Sequence, residues 1–326
     1  MSPIPSSARP IERVLVLADG RKAEVQALLP ELSAYLEERV SWVGIEEDVQ
    51  SFCRSAQGPA ASSPTPDQQP PPDLLVVLGG DGTILSAVRA FAAAPVPTLG
   101  IHFGRVGFLA SVEAERWREA LDEILGGNAV VEPRLRLVAT LPTNGRPLTE
   151  PLQPVALNDM VLSRGAYQGM LQVALRVGSD WLTNYRADGL IVATASGSTA
   201  HSLAAGGPIL APSMEGLVVT PICAQGLSQR PIVLHTDSVL QLSIVRSAGV
   251  TTLSVDGQGY YPLRQGDTVT LRRHPAPYPL LSLPDLDPYK RLRDRLGWRG
   301  SVEPDVFPAQ EPQPSPDLDT GAAGCL

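Results

Sequence analysis

Short runs of unbroken apolar residues, each followed by a helix-like stretch, set the first limit on what this chain can form. Val14-Leu-Val-Leu-Ala18 and Asp73-Leu-Leu-Val-Val-Leu78 hold continuous apolar runs, which is the pattern of strands buried on both sides in a parallel sheet. Residues 21–39 read as the helix after the first run, and residues 84–94 as the helix after the second. Pro97-Thr-Leu-Gly-Ile101 supplies a third strand and residues 113–125 a third helix. Strand and helix in strict alternation imply a parallel α/β sheet.

Past Gly126 the texture changes. Residues 130–141, 155–163, 171–177, 190–194, 232–234, 239–245, 251–255 and 268–272 are short, rich in β-formers and separated by turn residues, so they read as a mostly β domain. A length of 326 residues suits two domains. The expected division is an α/β domain over 1–127 and a β-rich domain over 128–275. Residues 55–72 hold six prolines among Ser, Ala and Gln, which reads as a surface insertion within the first domain. Residues 288–298 could form a short helix. Residues 301–326, with five prolines and few apolar residues, read as a disordered tail.

Composition removes several classes of function. Thirty-four Asp and Glu against 26 Lys and Arg give a net charge of -8, so no basic surface stands ready for a nucleic-acid backbone. Three cysteines, Cys53, Cys223 and Cys325, show no CxxC or Cys/His ligand spacing, which fits a reducing compartment. No apolar run of about 18 residues exists to cross a membrane, and the Ser- and Pro-rich first ten residues lack a signal-peptide core. A cytoplasmic protein is expected.

Gly79-Gly-Asp-Gly-Thr83 follows a buried strand and precedes a helix, where open α/β sheets place their ligands. Its glycines let backbone approach a phosphate, and the helix start offers N–H groups to an anion, making Gly79, Gly80 and Thr83 candidate phosphate contacts. It is neither a Walker A loop nor a Gly-x-Gly-x-x-Gly fingerprint, since no Gly-Lys-Ser/Thr follows and Leu85 fills the third glycine position. Two readings of Asp81 stand: a helix cap, or a base acting on an attacking alcohol. A second segment runs from Arg186 to Pro208, a strand leading into a loop dense in hydroxyls and small residues that suits a nucleotide. A third, Leu157-Asn-Asp-Met160, sets an Asn-Asp pair at the head of a strand; such pairs also occur in plain turns. His102, His235 and His274 are scattered and read as ordinary structural or surface residues.

Together these segments resemble the NAD kinase family. Its Gly-Gly-Asp-Gly loop, its Asn-acidic pair and its Asp-Gly…Gly-Ser-Thr-Ala…Ala-Gly-Gly-Pro segment occur here in order. Gly104-Arg-Val-Gly-Phe-Leu109, Pro221-Ile-Cys223, Arg230-Pro-Ile-Val233 and Asp256-Gly-Gln258 match further family motifs. The resemblance implies a β-sandwich-like second domain and a C-terminal segment, 276–300, that returns to the first. It implies transfer of a phosphoryl group from ATP or polyphosphate to NAD, with Mg²⁺ or another divalent cation, in a homodimer or homotetramer whose sites are completed across subunits. It makes Asp81 the catalytic base and puts Gly82 beside the dinucleotide. Asn158, Asp159, Asp188 and Arg186 would bind base or sugar hydroxyls. Ser196 and the stretch Thr199, Ala200, His201, Ser202, Leu203, Ala204 would wrap the adenosine end, with Gln258 adding a contact. The metal ligands stay unassigned. Three positions depart from the family pattern: Asp159 stands where Glu is usual, Ala195 where Pro is usual, and His201 where Tyr is usual.

Two rivals remain at this stage. Lipid and sphingoid-base kinases resemble this chain in the Gly-Gly-Asp-Gly loop and β domain, but the 188–208 segment and the lack of a basic membrane-binding stretch argue against them. A non-catalytic dinucleotide sensor would keep the pocket; the retained Asp81 argues against it.

Overall fold

The structure, a computed structural model, describes residues 10–49, 51–52, 70–104, 107–142, 153–165, 169–226, 228–287 and 289–298, with a strand at residues 2–3. Most of the Pro-rich insertion, the tail at 301–326, Cys53 and Cys325 lie outside the described residues.

In chain order the first unit contributes β1 (Ser2–Pro3), β2 (Arg13–Ala18), α1 (Ala23–Glu37), β3 (Trp42–Glu46), β4 (Leu74–Leu78), α2 (Asp81–Ala90), β5 (Thr98–His102), β6 (Val112–Glu113), α3 (Trp117–Leu125) and β7 (Val130–Arg134). The chain then crosses to β8 (Leu137–Thr140), β9 (Val155–Ala156), β10 (Asp159–Ser163), β11 (Leu171–Val177), β12 (Asp180–Ala187) and β13 (Gly189–Thr194). A 3-10 turn, Ser196–Thr199, and the short helix α4 (His201–Ala204) precede β14 (Gly216–Ile222), β15 (Ile232–His235), β16 (Leu240–Arg246), β17 (Thr251–Val255), β18 (Gly259–Leu263) and β19 (Thr268–Arg273). A second crossing leads to β20 (Tyr278–Ser282) and α5 (Lys290–Leu296).

The first sheet runs β1-β7-β20-β5-β4-β2-β3, with β6 on β5. β3, β2, β4, β5 and β20 are mutually parallel, whereas β7 is antiparallel to β20. The side chains of β4 and β5 are buried throughout, as the unbroken apolar run of β4 requires; β5 buries Thr98 and His102 as well. The second unit is a sandwich of two six-stranded antiparallel sheets, β15-β14-β13-β10-β17-β18 and β12-β11-β16-β19-β8-β9. Leu137, Val173 and Leu242 from one sheet and Met160, Val192 and Leu253 from the other share one core.

Three sequence expectations change. The stretch 130–141 divides: β7 stays in the first sheet and β8 enters the sandwich. Arg136, fully buried between them, donates to the carbonyls of Ala92 and Ala276 and meets His274 Nδ1, pinning both crossings together. The stretch 155–163 also divides, β9 and β10 lying in different sheets. The helix after the glycine loop begins at Asp81, with Gly80 in extended conformation before it and no side-chain cap.

Candidate active site

The carboxyl ends of β2, β3 and β4 open onto one cavity of ≈ 700 Å³. Its wall includes residues 19–22 after β2, residues 47–49 after β3, and Gly80, Gly82 and Thr83 after β4. Nothing lies within 4 Å of where a side chain on Gly80 or Gly82 would start, so the backbone there is open to a ligand. Arg21 and Lys22 bring positive charge to the same wall; Asp19 holds Arg21 in a fork at 2.7 and 3.0 Å. Sequence reasoning missed this turn. The signal was present, since it too is a strand–turn–helix junction at the edge where open α/β sheets bind ligands.

Asp81 does not cap its helix. Its carboxylate reaches across to residues 108–110 and accepts the backbone N–H groups of Phe108 (2.8 Å), Leu109 (3.0 Å) and Ala110 (3.3 Å). A Cβ on Gly107 would sit 2.0 Å from Asp81 Oδ1, so only glycine permits this approach. His102, at the end of β5, is buried with its Nδ1 unpartnered, and burial holds its pKa below the usual imidazole range.

A second carboxylate is received in the same way. Asp256, at φ +50°, accepts the backbone N–H groups of Leu157 (2.8 Å), Asn158 (2.8 Å) and Asp159 (3.0 Å). Burial pushes its pKa up to about 7, against the three N–H donors that hold it down. The loop so fixed carries the Asn-Asp pair. Asn158 Oδ1 is buried without a partner, although buried acceptors are normally satisfied. Asp159, 1% exposed, pairs with His201 Nδ1 at 3.1 Å, and this bond holds the imidazole above its usual pKa. Leu157 packs in one cluster with Ile84, Leu85, Leu109 and Ala110, so this loop abuts the Asp81 region.

The 195–204 segment closes over the same loop. A Cβ on Gly197 would sit 1.9 Å from Asn158 O, so this glycine too is required by space. Several hydroxyls are spent inside the protein. Ser198 donates to Ala195 O, Thr199 to Ser196 O, and Ser202, fully buried, meets Thr220 at 2.8 Å. Ser196 and Thr199 line a small cavity with Phe108 and Leu109, while Ala204 and His201 lie exposed and Ala200 and Leu203 half-buried. Gln258 turns to the first unit: its Nε2 donates to Gly82 O (3.0 Å) and Ser86 Oγ (3.1 Å).

Two predicted residues stand apart. Asp188 precedes β13 and Ala195 follows it, so about 20 Å of strand separates them. Asp188 pairs with Arg164 at 3.0 Å, and Arg186 is exposed at the end of β12. Within one chain neither joins the Asp81 group.

A glycine-rich loop and a cationic turn on one unit, facing a polar loop on the other with a carboxylate where they meet, define a small-molecule kinase. Residues 31–129 match the model of the ATP-NAD kinase N-terminal domain and residues 157–283 that of the ATP-NAD kinase C-terminal domain. The chain is 43% identical to the NAD kinase of Symbiobacterium thermophilum over 69% of its length and 78% of that protein. It is 33% identical to the NAD kinase of Moorella thermoacetica over 94% and 96%. The crystal structure of yeast NADH kinase complexed with NADH superposes with a TM-score of 0.76 over 90% of both chains at 26% identity. The chain belongs to the NAD kinase family.

Proposed function

We propose that this NAD kinase transfers the γ-phosphoryl group of ATP, or a phosphoryl group of polyphosphate, to the 2′-hydroxyl of the adenosine ribose of NAD, giving NADP. The position of Asp81 carries this reading. Asp81 lies in the chain between Gly80 and Gly82 of the ≈ 700 Å³ cavity wall, its surroundings share a cluster with Leu157 of the 157–159 loop, and its three backbone donors leave one of about four acceptor positions open for a hydroxyl proton. The new bond joins the ribose 2′-oxygen to phosphorus as the bond to the bridging oxygen breaks and that oxygen leaves with ADP or the shortened polyphosphate, and Asp81 takes the proton.

The donor phosphates would lie against Gly79, Gly80, Gly82 and Thr83 at the start of α2, with Arg21 and Lys22 opposite. Asn158 and Asp159 would orient the dinucleotide, His201 would pack against it, and residues 196–204 would shape the adenosine pocket. Among the described residues no cluster of three metal-ligating side chains occurs. Glu47 and Asp48 in the cavity wall fit a Mg²⁺ ion that takes one or two carboxylates and completes its shell from phosphates. Bound there, the ion would neutralise phosphate charge.

Arg186 and Asp188 would serve the site from a second copy of the chain in a homodimer or homotetramer. Trp181 at 60% exposure and Leu182, both on the edge strand β12 that leads to them, support a covered surface there. No helix among the described residues is long and apolar enough to cross a membrane; the cytoplasmic placement rests on composition and cysteine usage. Purified protein with NAD, Mg²⁺ and either ATP or polyphosphate should form NADP, and its absence with both donors would refute the reading. Light scattering reports the assembly.

A further inference from the structure

The turn at 256–258 is bonded to both halves of the site at once. On one side the Asp256 carboxylate takes three consecutive N–H groups of the 157–159 loop, and the Asp256 N–H donates back to Asp159 O at 3.0 Å. On the other, Gln258 meets the first turns of α2. Both of its side-chain N–H donors are engaged, one by Gly82 O and one by Ser86 Oγ. Ser86 Oγ itself donates to Gly82 O at 3.0 Å, closing a triangle around the helix start. Arg89, two turns along α2, donates to the Gln258 carbonyl at 2.7 Å, and the Gln258 N–H donates to Val255 O.

We propose that Gln258 and Asp256 are positioning residues: their turn registers the helix that begins with Asp81 against the loop that holds the dinucleotide, and Gln258, which also lines the cavity with Ser86, acts through its bonds to α2 rather than through a bond to NAD. This rests on the kinase reading above. Asp81 is the first residue of α2, so a shift of that helix relative to residues 157–159 changes the distance from base to hydroxyl directly. Reacting groups must come within about 3 to 3.5 Å, and a misplacement of about 1 Å can cost about 100-fold in rate. A residue that only touched NAD would instead alter affinity.

The test is Gln258→Ala in the full-length protein, with Arg89→Met as the partner variant reached from the opposite side of the contact. NAD affinity is measured by calorimetry, kcat by initial rates, and backbone exchange by deuterium uptake without substrates. Gln258→Ala is expected to lower kcat about 10- to 100-fold while leaving the Kd for NAD within about twofold. Arg89→Met should move kcat the same way by less, and the double variant should lose less than the product of the two, as residues sharing one contact do. Exchange should rise at 82–86 in both. A Kd weakened tenfold with kcat intact would make Gln258 a substrate contact and overturn the proposal, as would unchanged kcat and unchanged exchange. If Gln258→Ala does not fold, Arg89→Met carries the same comparison. Wild-type protein that forms no NADP would sink the kinase reading alone, because the exchange data still decide whether the turn holds the two pieces together.

Discussion

Asp81 and Asp256 are received by the protein in nearly the same way. Each carboxylate comes from one segment and accepts three consecutive backbone N–H groups from another. Each arrangement depends on a glycine with no room for a side chain, Gly107 against Asp81 and Gly197 against the loop that Asp256 holds. Their surroundings differ. Asp81 opens a helix at the carboxyl edge of a parallel sheet, beside the large cavity. Asp256 sits in a left-handed turn between two antiparallel strands, where burial drives its pKa to about 7. Three amides around a carboxylate are therefore a way to fix a loop, and location at the strand ends separates the group suited to chemistry from the pin.

The sharpest way to break this contrast is Asp81→Asn. It keeps the shape and should lower kcat by about 10² to 10⁴-fold while calorimetry still detects NAD binding; half-normal kcat would make Asp81 a second pin. Gly107→Ala should follow with a loss of about 100-fold, because the new methyl displaces the same carboxylate without removing it. Asp256→Ala should act on stability as well as on position. It strands three N–H groups, and denaturant unfolding should show a loss of about 2 to 5 kcal/mol.

The pin also predicts a pH slope. With its folded-state pKa raised from 3.8 to about 7, Asp256 contributes stability that is fully present below its unfolded pKa and lost as pH rises through 7. The wild-type protein should therefore lose stability from pH 4 to pH 7, by at most about 1.4 kcal/mol per unit from this group. Asp256→Asn should flatten that slope in unfolding curves. The smallest effect is expected at His201, which the Asp159 bond holds protonated above its usual range. The KM for NAD should shift with pH above about 6.5, and His201→Tyr should remove the shift with kcat within about twofold. Superimposable KM curves for the two proteins would reduce His201 to a space filler.

What the sequence disclosed follows from what each residue had to satisfy. β2 and β4 were legible because burial on both faces leaves an unbroken apolar run, and β5 from its short Leu-Gly-Ile centre in the strand–helix alternation. β3 was not, since Trp42-Val-Gly-Ile-Glu46 is only partly covered. β14, β18 and β20 were hidden by Pro221, Pro262 and Pro279, residues that normally argue against a strand. Pro279 is paired with Pro133 on β7. In the site, the loop at 79–83 and the 157–159 and 195–204 segments stood out as motifs. Asp256, Gly107 and Gln258 also stood in motifs, but what they bond to did not show, because their partners lie far away in the chain and no local pattern records them.

The return of β20 has a consequence for how the protein is made. Residues 278–282 fill the gap between β5 and β7 in a sheet whose other members are complete by residue 134. During synthesis that sheet should wait, with the edge of β5 at Thr98 and Leu99 without its β20 partner, while residues 137–273 emerge as one contiguous sandwich. The later unit can thus finish folding before the earlier one. A chain released short of residue 282 would carry an open strand edge of the kind that recruits other chains, so truncated translation products should aggregate while the isolated sandwich stays in solution.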